Sequence, residues 1–121
     1  MKIMIVEDEV IAAMAVEKML QKLGFEVCGN VTSGEEALSL SLKSCPDIVI
    51  MDIRLDGKLD GIDTSLRLKE ICDVAVVFVS AYCDDQTMCR AQAVNPLAFI
   101  NKPLDFALLR NVLAAPPSAV H

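Results

Sequence analysis

The segment "KIMIVEDEV", Lys2 to Val10, joins an apolar run to three consecutive carboxylates, Glu7, Asp8 and Glu9. The apolar part, Ile3 to Val6, is typical of a strand inside a parallel sheet, where both faces are covered. Neighbouring carboxylates repel one another, because two unit charges about 4 Å apart cost roughly 4 kcal/mol at an effective dielectric constant near 20. The segment therefore predicts a buried strand whose carboxyl end meets a cation. A solvated, acidic helix N-terminus is the alternative, and the helix dipole accounts for Glu9 better than for Glu7 and Asp8.

The rest of the chain repeats this alternation of short apolar runs and segments of helical period. The predicted strands are Ile3 to Val6, Phe25 to Gly29, Asp47 to Met51, Val74 to Ser80 and Leu97 to Ile100. The predicted helices are "VIAAMAVEKMLQKLG", "SGEEALSLSLKS", "GIDTSLRLKEI", "DDQTMCRAQAV" and "DFALLRNVLAA". Five βα units with short connections predict an α/β fold with a doubly wound, five-stranded parallel sheet and helices on both faces.

Particular residues mark the predicted helix ends and buried faces. In the first helix, the inward face is predicted to carry Ile11, Met14, Ala15, Met19 and Leu20. Gly24 is the predicted stop of that helix. The N-cap candidates of later helices are Ser33, Asp84 or Asp85, and Asp105.

Composition limits the classes of partner. The chain has 121 residues, a formal net charge of -6 and a pI near 4.6, which argue against direct binding of nucleic acid or of an anionic membrane. The N-terminus lacks the pattern of a signal peptide, and the apolar runs are shorter than a membrane span, so we expect a cytoplasmic domain.

Five cysteines occur without a C-x-x-C pair or a nearby histidine. This pattern suggests neither a zinc site nor a disulfide framework. We therefore expect reduced thiols that are mostly buried.

The residues at the predicted strand ends carry the chemistry. Parallel strands bring their carboxyl ends to one edge, so Glu7 and Asp8 should lie near Asp52, with Ser80 and Lys102 beside them. Carboxylate ligands at this edge suit Mg²⁺. An Asp nucleophile can form an aspartyl phosphate while a metal and a lysine neutralise the transferred oxygens. Taken singly, Asp52 could be a turn residue, Ser80 a strand-end cap and Lys102 a surface charge.

Four motifs occur in a fixed order, "IVED", "VIMDIRLDG", "VVFVSAY" and "FINKPLD". In that order they resemble the response-regulator receiver domain of two-component phosphorelays. The resemblance covers Lys2 to about Ala114, which predicts a receiver domain at 1–114 and leaves 115–121 as a tail or the start of a linker. It implies a flavodoxin-like fold with strand order 2-1-3-4-5.

The resemblance also implies a role for each site residue. Asp52 resembles the phosphoacceptor, Ser80 the switch hydroxyl and Lys102 the phosphate-binding lysine, preceding a cis bond to Pro103. Phe99 resembles the aromatic switch residue, although it lacks the hydroxyl of the tyrosine that is common there. The implied Mg²⁺ ligands are Glu7, Asp8, Asp52 and the backbone carbonyl of Arg54.

The implied partners follow from the same family. A sensor histidine kinase or a histidine phosphotransfer protein would donate the phosphoryl group. An output partner would read the surface of the fourth helix, fifth strand and fifth helix, and the resemblance leaves both a monomer and a homodimer open. The domain would promote only its own phosphorylation and dephosphorylation.

Three departures from the family pattern concern the loops. The segment "RLDGKLDGID" is longer and more charged than usual, with turn signals at Asp56-Gly57 and Asp60-Gly61. Asn95 stands where Gly is common, and Asn also tolerates the left-handed conformation. Bulky Arg54 and Tyr82 could obstruct a hydrolytic water, which predicts a long-lived phosphoryl-aspartate.

Two alternatives to a phosphoacceptor stay open at this point. A magnesium-dependent phosphohydrolase could use the same aspartyl phosphate, but a haloacid-dehalogenase-like phosphatase has a second Asp two residues after its nucleophile, where this chain has Arg54. A receiver-like interaction module that does not accept phosphate is the other alternative. It is disfavoured by the complete set of Asp52, Ser80 and Lys102.

Overall fold

The computed structural model describes residues 1–55, 57–81 and 83–114. Its strands are β1 (Lys2–Val6), β2 (Glu26–Val31), β3 (Ile48–Asp52), β4 (Ala75–Ser80) and β5 (Ala98–Asn101). Its helices are α1 (Val10–Lys22), α2 (Gly34–Lys43), α3 (Gly61–Ile71), α4 (Asp85–Ala93) and α5 (Phe106–Ala114). The strands form one parallel sheet in the order β2-β1-β3-β4-β5, so the predicted fold class and strand order are confirmed.

The sheet separates two apolar layers. In β1, Met4 and Val6 belong to one core cluster, whereas Ile3 and Ile5 belong to the other. This division follows from the alternation of side chains along a strand. Buried residues of α2, α3 and α4 join the first cluster, and buried residues of α1 and α5 join the second. Helices therefore cover both faces, as the apolar strands predict.

The predicted helix caps are confirmed at three helices. The Ser33 side chain accepts the backbone N–H of Glu36, and Asp84 accepts that of Thr87 at 2.8 Å. Asp105 accepts two backbone N–H groups at the start of α5. Each cap satisfies amide donors that the first helical turn leaves without a partner.

The buried face of α1 differs from the prediction. Ala13, Val16 and Leu20 are buried, whereas Ile11 is 84% exposed and Met14 is 52% exposed. The first helix is apolar around much of its circumference, so several helical faces fit the pattern and periodicity does not select the inward one. The prediction that Ile11, Met14 and Ala15 face inward is wrong.

The expectation of reduced, mostly buried cysteines is also wrong. Cys45 and Cys72 form a disulfide, with their Cα atoms 5.7 Å apart. Cys45 lies between α2 and β3, and Cys72 directly follows α3, so the packing of these elements brings together two thiols separated by 27 residues. Among the remaining cysteines, Cys89 is exposed, and Cys28 and Cys83 are only half-buried.

Three residues of the unusual loops have clear conformations, namely Asn95, Asp60 and Gly61. Asn95 has φ of 60°, so it adopts the left-handed conformation that Asn tolerates. Asp60 and Gly61 do not form a separate turn, because Asp60 caps α3 and Gly61 begins it. Asp56, Tyr82 and residues 115–121 lie outside the described residues, as do the predictions that concern them.

None of the helices within residues 1–55, 57–81 and 83–114 combines the length and apolar character that crossing a bilayer requires.

Candidate functional site

The predicted site residues converge where the parallel strands end. Asp52 and Ser80 are the last residues of β3 and β4, Glu7 directly follows β1, and Lys102 directly follows β5. The backbone N–H of Lys102 donates to the Ser80 carbonyl at 2.8 Å, which joins the ends of the last two strands. The same edge therefore collects residues that lie up to 95 positions apart in the chain.

Three carboxylates form a potential cation site. One oxygen from each of Glu7, Asp8 and Asp52 lies within 4.8 Å of the others. Asp52 is 5% exposed and Glu7 is 8% exposed, so two of these groups have little water to solvate their charge. Hard carboxylate oxygens are the ligands that Mg²⁺ and Ca²⁺ prefer, and the donor set fits the predicted metal.

Lys102 brings a positive charge into contact with two of these carboxylates. Its Nζ atom lies 3.0 Å from Oδ2 of Asp52 and 3.1 Å from Oε2 of Glu7. The peptide bond between Lys102 and Pro103 is cis, as the resemblance implies. A single ammonium group therefore bridges the candidate phosphoacceptor and a candidate metal ligand.

The protonation of this group of charges reflects its burial. Burial raises the pKa of Glu7, and the charge of Asp52 adds to the rise, although the hydrogen bond from the Glu9 N–H opposes it. Burial alone would lower the pKa of Lys102, but its hydrogen bonds and charge interactions with Asp52 and Glu7 outweigh that effect and raise it. Lys102 is therefore a cation at neutral pH, beside carboxylates that lack full hydration.

Backbone groups of the following loop fix the surroundings of Asp52. The N–H of Arg54 donates to Oδ1 of Asp52 at 3.2 Å, while the Arg54 side chain is exposed. Gly61 packs against the backbone carbonyl of Asp52 so closely that a Cβ atom at this position would collide with it. The Gly61 N–H donates to the Ile53 carbonyl at 2.7 Å, which closes the base of the loop.

The two predicted switch residues lie on adjacent strands. The Ser80 hydroxyl is buried, and the Cys83 thiol lies 3.4 Å from it. Phe99 is half-buried, and its ring centroid lies 6.3 Å from that of Phe78. Phe99 thus packs against the core cluster that includes residues of α4.

Sequence reasoning missed two members of this neighbourhood. Glu9 was explained by the dipole of α1, yet its carboxylate also lies 3.8 Å from Nζ of Lys102. Cys83 carries no pattern that would indicate its contact with Ser80. The spacing of three residues could have suggested proximity only if the conformation after β4 were known.

A cleft of about 300 Å³ adjoins the charged residues. Its polar lining includes Glu7, Glu9, Asp52 and Lys102, and apolar residues of α1, the sheet and the segment leading into α5 form the remainder. The candidate phosphoacceptor can therefore be approached from solvent, although little of its surface is exposed.

Comparisons with known proteins agree with this fold. The profile of the response regulator receiver domain family matches residues 3–114. The Mycobacterium tuberculosis transcriptional regulatory protein PdtaR is 29% identical over 106 residues, covering 88% of this chain and 51% of PdtaR. A Pseudomonas aeruginosa positive alginate biosynthesis regulatory protein is 36% identical over 107 residues, covering 86% of this chain and 42% of that protein.

A solved structure gives the same result. The signal receiver domain of a modulated diguanylate cyclase from Desulfovibrio desulfuricans G20 matches with a TM-score of 0.87 and 35% identity. The match covers 93% of this chain and 90% of that one. The fold and the matched residues define a signalling domain of the receiver class. The chain belongs to the response-regulator receiver domain family, and it spans about half the length of the curated relatives described above.

Proposed function

We propose that residues 1–114 form a phosphoacceptor receiver, with 115–121 as a tail or the start of a linker, and that Asp52 accepts a phosphoryl group from a phosphohistidine. The donor is a sensor histidine kinase or a histidine phosphotransfer protein in the cytoplasm. The observation that carries this proposal is the contact of Lys102 Nζ with Asp52 Oδ2 at 3.0 Å, inside the cluster that Asp52 forms with Glu7 and Asp8.

The transfer is an in-line displacement. A carboxylate oxygen of Asp52 forms the new P–O bond while the P–N bond to the donor imidazole breaks, and the electron pair of that bond stays on the imidazole nitrogen. Lys102 donates a charge-assisted hydrogen bond to the transferred group, and the Ser80 hydroxyl donates a further one. The Arg54 N–H donates to Oδ1 of Asp52 and holds the carboxylate in place for attack.

The implied cofactor is Mg²⁺. Glu7, Asp8, Asp52 and the Arg54 backbone carbonyl would hold it, and when bound it would neutralise charge on the phosphoryl oxygens and the carboxylates. Three carboxylates against the one ammonium of Lys102 leave the cluster with excess negative charge, which favours a divalent cation.

The readout is a shift between two conformations. Ser80 moves toward the phosphoryl oxygens, and Phe99 fills the space vacated by that movement. These changes alter the surface of α4, β5 and α5, which an output partner or a second copy of the receiver recognises.

The direct test is the intact mass of the protein after incubation with acetyl phosphate or phosphoramidate, with and without Mg²⁺. We expect one phosphoryl adduct that requires Mg²⁺ and is absent from Asp52→Asn. Asp73→Asn is the matched control, because Asp73 is exposed and lies before β4, at the opposite edge of the sheet. No adduct in folded wild-type protein would favour the phosphate-independent module, and continuous phosphate release from small phosphoesters would favour the phosphohydrolase.

A further inference from the structure

The loop between β3 and α3 is tethered in its middle by a side chain from another helix. Glu35, in the first turn of α2, accepts the backbone N–H groups of Lys58 and Leu59 on one carboxylate oxygen, at 3.1 Å and 3.2 Å. These residues lie 23 and 24 positions from Glu35. The contact therefore joins two separate βα units beside the candidate site.

The loop backbone is shaped to receive this carboxylate. Gly57 has φ of +101°, a conformation that side chains rarely adopt, and a Cβ atom there would lie 2.9 Å from Oε2 of Glu35. The pKa of Glu35 is lowered by its hydrogen bond with its own backbone N–H and by those from Leu59 and Lys58. Glu35 is therefore ionised at neutral pH, and its charge strengthens both loop contacts.

The tethered loop begins at the groups that surround the phosphoacceptor. The Arg54 N–H donates to Asp52 at 3.2 Å, and the proposed function gives the Arg54 carbonyl to the metal. The Gly61 N–H fixes the far end of the loop to Ile53. Without the Glu35 contact, the stretch between these two anchors would lose its hydrogen bonds at Lys58 and Leu59.

We propose that Glu35 is a positioning residue for phosphoryl transfer: it holds the loop between β3 and α3 so that the Arg54 backbone stays in place for Asp52 and for the metal. Glu35 touches neither the phosphoryl group nor the cation. This inference rests on the proposed function, because it assigns Glu35 a role in that reaction.

Neighbouring Glu36 offers a matched control. It lies in the same helical turn and has the same charge, but its carboxylate accepts the hydroxyl groups of Thr32 and Ser33 instead of loop amides. Removing either glutamate changes the charge at the α2 N-terminus equally. Only the removal of Glu35 deletes the contact with the loop.

The test compares Glu35→Ala, Glu35→Gln and Glu36→Ala with the wild type. The measurements are Mg²⁺ affinity by calorimetry, the rate of adduct formation from phosphoramidate, and hydrogen exchange of peptides covering residues 53–60. We expect Glu35→Ala to weaken Mg²⁺ binding by about tenfold, within the usual effect of residues that orient metal ligands, and to slow adduct formation. Its loop amides should exchange faster.

Glu35→Gln keeps an acceptor oxygen and should recover most of the affinity, whereas Glu36→Ala should match the wild type in all three measurements. Gly57→Ala should reproduce the Glu35→Ala result without altering Glu35. Equal behaviour of Glu35→Ala and the wild type, or equal losses in Glu35→Ala and Glu36→Ala, would overturn the positioning role. Failure of the wild type itself to form the adduct would instead refute the proposed function.

Discussion

The ammonium group of Lys102 lies 3.0 Å from Oδ2 of Asp52, the residue that is proposed to accept phosphate. Before phosphoryl transfer, Mg²⁺ and Lys102 compete for the negative charge of the carboxylates. During transfer, both stabilise the negative charge on the phosphoryl oxygens. Lys102→Ala should bind Mg²⁺ roughly threefold to tenfold more tightly, since a unit charge about 4 Å away is worth about 1 kcal/mol even in bulk water. Adduct formation should slow by about 10²-fold.

Calorimetry and intact-mass kinetics measure these two effects. Lys18→Ala removes the same charge from an exposed position of α1 and should change neither quantity. Weaker Mg²⁺ binding in Lys102→Ala would show that the lysine organises the carboxylates for the metal instead of competing with it.

The burial of Glu7 predicts that its carboxyl group makes the domain without bound metal less stable at neutral pH than at acidic pH. A carboxyl with a raised pKa in the folded state contributes stability that is fully present below its unfolded pKa and is lost as the pH rises through the folded value. With chelator at neutral pH, Glu7→Gln should therefore unfold a few degrees above the wild type, and the difference should vanish at acidic pH.

Thermal unfolding with added Mg²⁺ completes this test. The metal should stabilise the wild type much more than Glu7→Gln, because the variant lacks one anionic ligand. Glu9→Gln is the control, since Glu9 is 69% exposed at its side chain. A metal-free Glu7→Gln variant that unfolds below the wild type would contradict the prediction.

The alternation of strands and helices, and the residues at the strand ends, could be predicted because both depend on short-range patterns, whereas the strand order came from the resemblance to the receiver family. Uniformly apolar strands ending in Asp52 or Ser80 indicate where each strand stops, and a parallel sheet then brings those ends to one edge. The face of α1 could not be predicted, because Ile11 and Met14 are as apolar as the residues that are buried. Rotation of that helix is decided by packing with the sheet.

Contacts between residues of separate helices and loops, like the buried face of α1, could not be predicted from the sequence. Cys45 and Cys72 meet only because the C-terminal ends of α2 and α3 are adjacent. The helix dipole favours an acidic residue in the first turn whatever else it contacts, so nothing in the sequence indicates the contact of Glu35 with a loop more than 20 residues away. Such relationships need the tertiary packing before they can be stated.

Arg90 joins α4 to the start of α3. Its guanidinium lies 3.1 Å from the carboxylates of Asp60 and Asp63. These groups are substantially exposed, so Arg90→Ala should lower the free energy of unfolding by only about 0.2–1 kcal/mol, and the loss should shrink in high salt. Urea denaturation measures it. Arg67→Ala, at an exposed position, is the control. The double variant Arg90→Glu, Asp63→Arg reverses both charges and should recover part of the lost unfolding free energy. A loss that is independent of salt would argue against an ionic contact.

The side chains of Arg54 and Tyr82 are expected to slow the loss of phosphate from Asp52. The Arg54 side chain is exposed and follows Asp52 by two residues, while Tyr82 lies outside the described residues. The Arg54→Ala, Tyr82→Ala double variant should lose its adduct several-fold faster than the wild type in a mass-spectrometric decay series. Arg67→Ala again serves as the control for charge. Unchanged decay in the double variant would count against shielding by these residues.

The cysteines should differ in reactivity as their environments differ. The thiolate is the nucleophile, and burial raises the pKa of Cys28, so less of its thiol is ionised at any given pH. Alkylation of Cys28 by iodoacetamide should therefore be slower than that of exposed Cys89, and its rate should continue to rise through alkaline pH. Cys45 and Cys72 should react only after reduction. Peptide mass spectrometry resolves the sites, with denatured protein as the reference for intrinsic reactivity. Equal alkylation rates for Cys28 and Cys89 in the folded protein would show that burial does not protect Cys28. Alkylation of Cys45 without reductant would show that the disulfide is absent in solution.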